Sequence, residues 1–457
     1  MLLCAVSSGS VKERTARTRQ PIISGISDGV FFKGNEVKNL TLNSCIRDAL
    51  AQPKGLLMKT YSWPANHWNW PIEVSHQHGV RCDGLIFTGG QADLDINGDV
   101  VNPDDLLKQT ENVVAHVENI LKDLNSDLED TVRLVVYFTG DQASESTILE
   151  TIAAHLRGQY PPTVSTIRLP ALCYPGMLIE LEAVAIDRAV HRDRQSVRLE
   201  QLPRLHSGFS HVLRCGDLIF TSDMSAIAAN GKVVSANELN KQTSIMMEQL
   251  VLALAAVGAT TDDVLKLNVF YKGDGTAENW QEPAKIRADY FNDPGPAATG
   301  IAVTDFAQQG LTTKIAATAS ISAGNTRYSW PESHWNWTSP LPYKHGNRCG
   351  QLIHLGGQVA LDINAEVLHP DDIVAQTQIA LQNISIVLQD LGACMDDVVK
   401  VTTFYQGSAS AAELHENLTV RSSAFRTPGP ATSGIPVPHL VYQHMMIEIE
   451  VIAMISS

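Results

Sequence analysis

Long apolar runs are missing from this chain of 457 residues. No segment approaches the roughly 18 consecutive apolar residues that a membrane-spanning helix needs. The opening segment, MLLCAVSSGSVKERTARTR, also contains too short an apolar stretch for a secretory signal. We therefore expect a cytoplasmic protein with no membrane partner.

Clustered positive charge and paired cysteines are also scarce. The net charge is −15, and basic residues cluster only within residues 12–19, so we expect no nucleic-acid partner. The seven cysteines are scattered and never form a C-x-x-C pair, which argues against a disulfide framework and a structural zinc site. Because the sequence also lacks a P-loop, a G-x-S-x-G motif and a dinucleotide fingerprint, it predicts no cofactor.

An internal repeat is the strongest signal that the sequence does contain. The segment YSWPANHWNW at residues 61–70 returns as YSWPESHWNW at residues 328–337, with eight of ten positions identical. The glycine pair at residues 89–90 likewise returns at residues 356–357. A divergent middle copy has Ser222-Asp223 in place of that pair.

These correspondences divide the chain into three tandem copies after an unassigned N-terminal extension. We place the extension at residues 1–56, repeat 1 at residues 57–190, repeat 2 at residues 195–324 and repeat 3 at residues 325–457.

Each copy shows the same local pattern, in the order β-β-α-β-α-β. We expect the first helix to begin at Pro103 in repeat 1 and at Pro370 in repeat 3, because proline fits a first helical position. This order predicts α+β domains, each with a mixed sheet and two helices on one face. The other face of each sheet needs a cover, so we expect the three copies to pack as a single-chain pseudo-trimer. The predicted strands include Leu85–Thr88, Leu218–Thr221, Leu352–Leu355, Val132–Phe138, Val264–Tyr271 and Val398–Tyr405.

On these residues the chain resembles a known family. The run GLIFTGGQADLDINGDVVNPDDLLKQTENVVAHVENIL, followed by DTVRLVVYFTG and MLIELEAVAI, is similar to the Rid/YjgF family, which has a chorismate-mutase-like fold. The resemblance implies sheets packed inward, helices outside and a ligand cleft at each interface between copies. It also implies hydrolysis of reactive imines and enamines to ketones and ammonia.

The chain departs from the family at the position of the substrate anchor. Active deaminases of the family carry an arginine in a P-A-R-S segment, where its planar guanidinium holds the substrate carboxylate. The corresponding residues here are Val164, Ala298 and Thr432. We therefore expect a small planar or uncharged substrate, with Val164 and Thr432 lining its pocket.

Two glutamates are the expected catalytic residues. The family has a cleft glutamate on the closing strand, and the corresponding residues are Glu180 and Glu448, with Lys314 in repeat 2. A cleft glutamate acts as a base or positions a water for attack at a C=N carbon. The alternative is that one carboxylate of each pair, Glu180 with Glu182 and Glu448 with Glu450, is simply solvated. Because repeat 2 has lost this glutamate, we expect its contribution to be mostly structural.

The YSWPxxHWNW segments supply most of the candidate binding residues. Their aromatic rings could wall a pocket for a planar or cationic ligand, or they could fill a seam between copies. The family's cleft tyrosine is retained only as Tyr343, with His76 and Phe209 in the other copies. The candidate binding residues are therefore His67, Trp68, Asn69, Trp70, His76, His334, Trp335, Asn336, Trp337 and Tyr343.

A histidine and a cysteine recur in all three copies, and we expect both to be structural. Presence even in the divergent copy favours buried packing, and His76 and His78 have no convincing third ligand nearby for a metal ion. The residues concerned are His78, His211 and His345, with Cys82, Cys215 and Cys349.

The sequence thus favours a hydrolase that acts on a C–N bond of a small molecule in one or two clefts between copies. The alternative is a catalytically silent ligand-binding or scaffold protein, because the family's arginine is absent from all three copies.

Overall fold

The structure, a computed structural model, describes residues 57–190 and 193–456, so the predicted N-terminal extension lies outside the described residues. Three mixed sheets are present, of six, seven and six strands. The first sheet contains β1 (Lys59–Ser62), β2 (Gly79–Cys82), β3 (Leu85–Thr88), β4 (Thr131–Phe138), β5 (Thr163–Arg168) and β6 (Ile179–Ile186).

The other two sheets repeat this arrangement. The second contains β7 (Arg194–Val197), β8 (Val212–Cys215), β9 (Leu218–Thr221), β10 (Met224–Ser225), β11 (Val264–Lys272), β12 (Ala297–Val303) and β13 (Thr313–Ser320). The third contains β14 (Arg327–Ser329), β15 (Gly346–Cys349), β16 (Leu352–Leu355), β17 (Val398–Gln406), β18 (Ala431–Val437) and β19 (Ile447–Met454).

Each copy also contains two α-helices. They are α1 (Leu106–Asp123), α2 (Gln142–His155), α3 (Leu239–Ala255), α4 (Ala277–Ala288), α5 (Ile373–Asp390) and α6 (Ala411–Ser423). Among these helices, none is long and apolar enough to cross a membrane.

The strand order confirms the predicted α+β class with mixed sheets. The closing strand β6 lies between β3 and β4, while β4 pairs with β5 in parallel and with β6 antiparallel. Repeat 2 has the two-residue strand β10, which we did not predict, and each copy has two further unpredicted strands, represented in repeat 1 by β1 and β5. These have four and six residues, which is too short for period-two alternation to stand out in a single sequence.

The predicted starts of the first helices are wrong by three residues. In repeat 1, α1 begins at Leu106 because Asp104 adopts a left-handed backbone with a φ of 64°, which a helix cannot include. The carboxylate of Asp105 instead caps the helix, accepting a hydrogen bond from the Lys108 amide at 3.2 Å. The same geometry, with a φ of 61° at Asp371, delays the start of α5 to Ile373.

The closing strands are buried on both faces. All eight residues of β13 are buried, and so are seven of the eight residues of β6. Helix α1 packs on β6 from one side, and residues of another copy reach it from the other, as when Lys400 contacts Glu182 at 3.1 Å. Polar and apolar residues alternate along the closing strand of repeat 1, but both of its faces are buried. One face packs on α1, and the other lies against a neighbouring copy.

Backbone hydrogen bonds link the three copies in a closed cycle. The Gly90 amide of repeat 1 donates to the Thr432 carbonyl of repeat 3 at 3.1 Å. The Gly357 amide of repeat 3 donates to Ala298 of repeat 2 at 3.2 Å, and the Asp223 amide of repeat 2 returns to Val164 of repeat 1 at 3.2 Å. Rotations near 120° between the copies, as in a true pseudo-trimer, stay a prediction.

Gly356 tests how tightly these contacts are packed. A Cβ added to Gly356 would lie 2.6 Å from the Ala298 carbonyl oxygen of the neighbouring copy, so a side chain there must push two backbones apart. We expect Gly356→Ala to lower the free energy of unfolding by about 1–3 kcal/mol, as overpacking usually does. Urea unfolding followed by tryptophan fluorescence measures this. Gly324→Ala is the control because nothing lies within 4 Å of its added Cβ, and equal stability of the two variants would contradict the packing.

Candidate active site

Two clefts with similar chemistry lie between copies. The 1–3 cleft, between repeats 1 and 3, encloses about 370 Å³ counted to its open mouth, and the 3–2 cleft, between repeats 3 and 2, encloses about 730 Å³. Each contains a closing-strand glutamate, two tryptophans of the YSWPxxHWNW segment and an arginine from the second helix of the neighbouring copy, and Trp280 also lines the 3–2 cleft. The 1–3 cleft is lined by residues that include Trp68, Trp70, Glu180, Arg421 and Thr432, and the 3–2 cleft by residues that include Trp335, Trp337, Glu448, Arg287 and Ala298.

The glycine pairs make room for the two glutamates. A Cβ on Gly90 would collide with the Oε1 atom of Glu180, and one on Gly357 would collide with Oε1 of Glu448. Only glycine therefore lets each carboxyl group lie against the neighbouring backbone. Glu180 and Glu448 are only 5% and 6% exposed, so the possibility that they are merely solvated is wrong.

Burial changes the protonation state of these glutamates. It raises the pKa of Glu180 and of Glu448 to about 8. The carboxyl group of Glu182 adds to the shift at Glu180, whereas the cations Lys400 and Arg421 oppose it. At neutral pH both groups are mostly protonated, so each can donate a proton before it accepts one.

The middle copy replaces this arrangement with an ion pair. Asp223 stands where the other copies have the second glycine, and Lys314 stands where they have the glutamate. The Lys314 ammonium lies 3.3 Å from Glu145 and 3.8 Å from Asp223, and it donates to the Thr166 carbonyl at 2.9 Å. In the cleft between repeats 2 and 1, which encloses about 1290 Å³ counted to its open mouth, the residue at the glutamate position is therefore already paired with two carboxylates.

In repeat 1, the YSWPxxHWNW segment divides between the cleft wall and the packing behind it. Trp68 and Trp70 line the 1–3 cleft. His67 is buried with a ring nitrogen 2.8 Å from Oε1 of Gln91, and the Trp68 indole donates to the same oxygen at 3.1 Å. Asn69 is exposed. Gln91 thus orients the cleft tryptophan, a role that we did not predict.

Repeat 3 reproduces this division. Trp335 and Trp337 line the 3–2 cleft, stacked with ring centroids 4.4 Å apart. His334 lies behind them, with a ring nitrogen 2.9 Å from Oε1 of Gln358, and Asn336 is exposed. The role of all these residues in binding stays a prediction.

The remaining candidates fall in different places. Tyr343 lines the 3–2 cleft, where burial raises the pKa of its hydroxyl and the nearby Arg287 guanidinium opposes the shift. His76 is buried beside Phe425 and does not line the 1–3 cleft, and burial lowers its pKa to about 3. Val164 lines the cleft of the middle copy, and Thr432 lines the 1–3 cleft.

The recurring histidines are buried, as expected. Ring nitrogens of His78, His211 and His345 lie within 3.0 Å of the backbone carbonyls of Trp68, Pro203 and Trp335. Cys82 and Cys215 are buried, but Cys349 is only half-buried, which corrects the prediction for that residue. Its strand β15 ends there, next to the exposed turn at Gly350. Within residues 57–190 and 193–456, no three His, Cys, Asp or Glu side chains form a candidate metal site.

Arg287 and Arg421 are charged cleft residues that the sequence did not lead us to predict. They occupy corresponding positions on α4 and α6, since their numbers differ by about one repeat (421 − 287 = 134). Both helices are polar, so a charged residue on them gave no signal of burial. The recurrence of the arginine at the repeat spacing was the one signal that could have found it.

Replacing Glu448 with glutamine should stabilise the protein at high pH. A carboxyl group with a pKa near 4.5 when unfolded and about 8 when folded contributes stability that is fully present below pH 4.5 and is lost as the pH rises through 8. Glu448→Gln removes that loss, so its Tm should exceed the parent's at pH 9 and match it near pH 4.5. Thermal unfolding at both pH values measures this. Glu366→Gln, at an exposed glutamate, is the control, and equal pH dependence in all three proteins would contradict the burial.

Relatives of single-copy length resemble parts of the chain. A RutC family protein of Pyrococcus abyssi is 32% identical over 112 residues, which are 24% of this chain and 85% of that protein. A 2-iminobutanoate/2-iminopropanoate deaminase of Dermatophagoides farinae is 29% identical over 115 residues, covering 25% of this chain and 87% of the deaminase.

Structural and family comparisons cover more of the chain. A crystal structure of a chorismatase matches 71% of this chain and 93% of its own, with a TM-score of 0.50 and 13% sequence identity, which shows the fold alone. The family model described as Endoribonuclease L-PSP matches residues 71–187, 200–321 and 338–455. The chain therefore belongs to this family, the Rid/YjgF family, and carries three copies of its domain.

Proposed function

We propose that the chain is a hydrolase that cleaves the C–N bond of a small planar imine or enamine in the 1–3 and 3–2 clefts. The observation that carries the proposal is a buried, mostly protonated glutamate against a tryptophan wall in both clefts. The name of the Dermatophagoides farinae relative, an imine deaminase, supports the same reaction class.

The chemistry of imine hydrolysis matches a carboxyl group with a pKa of about 8. Protonation of the imine nitrogen makes the C=N carbon electrophilic, and the resulting carboxylate then accepts a proton from the water that attacks this carbon. The carboxyl group then returns its proton to the nitrogen of the tetrahedral adduct, the C–N bond breaks, and the carboxylate takes the hydroxyl proton, so that imine and water give a carbonyl compound and ammonia. Glu180 and Glu448 each serve these proton transfers in their own cleft.

The competing proposal is a silent ligand-binding protein. It is favoured by Val164, Ala298 and Thr432, which stand where active family members have their arginine. The two proposals differ in turnover and not in binding, so the decisive measurement is product release.

Glu448→Gln should abolish most turnover in the 3–2 cleft. Glutamine keeps the shape and hydrogen-bonding reach of the side chain but cannot exchange a proton, so we expect the rate in that cleft to fall by about 10²–10⁴-fold. The activity of the parent should also fall as the pH rises above about 8, where Glu448 loses its proton. The assay is ammonia release from a panel of imines and enamines generated in solution.

Glu366→Gln is the matched control, because Glu366 is exposed and lies outside both clefts. Glu180→Gln combined with Glu448→Gln should remove the activity of both clefts. Parent-like turnover in this double variant would contradict the catalytic assignment, and no turnover by the parent on any substrate of the panel would favour the silent protein.

A further inference from the structure

Arg421 is a buried, positively charged residue, and one nitrogen of its guanidinium has no hydrogen-bond partner among the described residues. Its Nε donates to Oδ1 of Asn417 at 3.0 Å, and its Nη1 donates to Oγ1 of Thr432 at 3.0 Å. Its Nη2 has no hydrogen-bond partner in the described part of the chain, although the side chain is 0% exposed and lines the 1–3 cleft. A buried donor without a partner is costly, so a ligand atom that accepts this hydrogen bond would be favoured there.

Arg287 repeats this feature in the 3–2 cleft. It is 6% exposed, and its Nη1 has no hydrogen-bond partner among residues 57–190 and 193–456. The Tyr343 hydroxyl lies beside this guanidinium and also lines the cleft. Two donors therefore face the same space as Glu448 and the stacked tryptophans.

Neither arginine has a compensating carboxylate. No ion pair of Arg287 or Arg421 occurs within 4.0 Å in the residues that the structure describes, in contrast to Lys314 in the middle copy. Burial lowers the pKa of Arg421 to about 10, which still leaves it charged at neutral pH. The nearest acids, Glu180 and Glu448, are mostly neutral there. An uncompensated buried cation favours the binding of an anion.

The position of Arg421 relates it to the missing family arginine. Thr432, which holds Nη1 of Arg421, occupies the position where that arginine stands in active members. Gly434 leaves space for the Nη2 atom of Arg421, since a Cβ on Gly434 would lie 3.2 Å from that atom. A guanidinium thus reaches the same end of the cleft from a helix and not from the strand.

We infer that Arg287 and Arg421 bind the carboxylate of a planar monocarboxylic acid. One guanidinium neutralises one negative charge, so a carboxylate leaves the cleft neutral, whereas a phosphate dianion would leave a buried net charge. The aromatic walls favour a planar body. This inference replaces the expectation of an uncharged substrate. Carboxylate binding does not depend on the proposed function. Only the further step, in which the bound acid presents its C–N bond to the glutamate for hydrolysis, rests on it.

The test is the binding of benzoate and pyruvate, with benzamide as the uncharged analogue of benzoate, measured by calorimetry. The parent should bind a carboxylate, and Arg287→Gln combined with Arg421→Gln should weaken that binding by roughly tenfold to hundredfold, the usual effect of losing a charge-assisted hydrogen bond. Benzamide binding should change little. Arg426→Gln, at an exposed arginine, is the matched control and should bind like the parent.

Stability separates a binding role from a structural one. Removing the uncompensated Arg287 charge should leave the Tm of Arg287→Gln unchanged or raised, and benzoate should raise the Tm of the parent more than that of the variant. Absence of carboxylate binding in the parent, or equal binding by Arg287→Gln and its parent, would overturn the inference. Arginine-dependent binding without any turnover would leave the inference standing and contradict only the proposed hydrolase.

Discussion

Close backbone contact between copies is the constraint on which both clefts depend. Each glycine pair follows a short strand and lies directly on a strand of the next copy, where Gly357 donates to Ala298. The same glycine leaves the space that the carboxyl group of Glu448 occupies. A larger residue there would displace either the neighbouring copy or the glutamate. Joining the copies and burying the acid are therefore one structural requirement.

Neighbouring carboxyl groups on the closing strands have opposite pKa shifts. Glu448 and Glu450 lie two residues apart on β19, so they project from the same face of the sheet. Burial alone would raise the pKa of Glu450, but the Lys266 ammonium 2.8 Å away lowers it, whereas Glu448 stays raised. Pairs of acids with separated pKa values are typical of sites that use one of them as a proton donor. Glu448 thus stays neutral because its burial outweighs the Lys266 ammonium, whose effect on the Glu448 pKa is opposed by Glu450.

The sequence predicted the sheets better than the clefts. The strands Leu85–Thr88, Leu218–Thr221 and Leu352–Leu355 have the predicted bounds because turns on both sides limit them. The start of α1 was missed because a left-handed Asp104 cannot be recognised from residue type alone. Glu180 and Glu448 were predicted as cleft residues because the sequence around each of them resembles the family's closing strand, which can be recognised within a single copy.

Arg421 was missed because the cleft that it lines lies between two copies. Its own repeat contains its hydrogen-bond partners, but nothing in that repeat alone indicates that Arg421 lines the same cleft as Glu180 of repeat 1. Its neighbour Thr432 appeared in the sequence only as the loss of an arginine. The structure instead shows a hydrogen bond from Arg421 to Thr432 at 3.0 Å, which no pattern along the chain could indicate.

Three copies in one chain can change independently, and the clefts reflect this. The middle copy has Asp223 and Lys314 where the other two copies have a glycine and a glutamate, and Lys314 pairs with Glu145 and Asp223. The two remaining clefts keep the acid and the arginine but differ in size.

The tyrosine that precedes each cleft glutamate by six residues has different neighbours in the two clefts. It is Tyr174 before Glu180 and Tyr442 before Glu448. Tyr174 lies 3.1 Å from a ring nitrogen of His415, while Tyr442 packs edge-on against Trp280 at 5.9 Å. With about twice the volume, the 3–2 cleft has more room for a planar acid, so we expect ligands to bind there first.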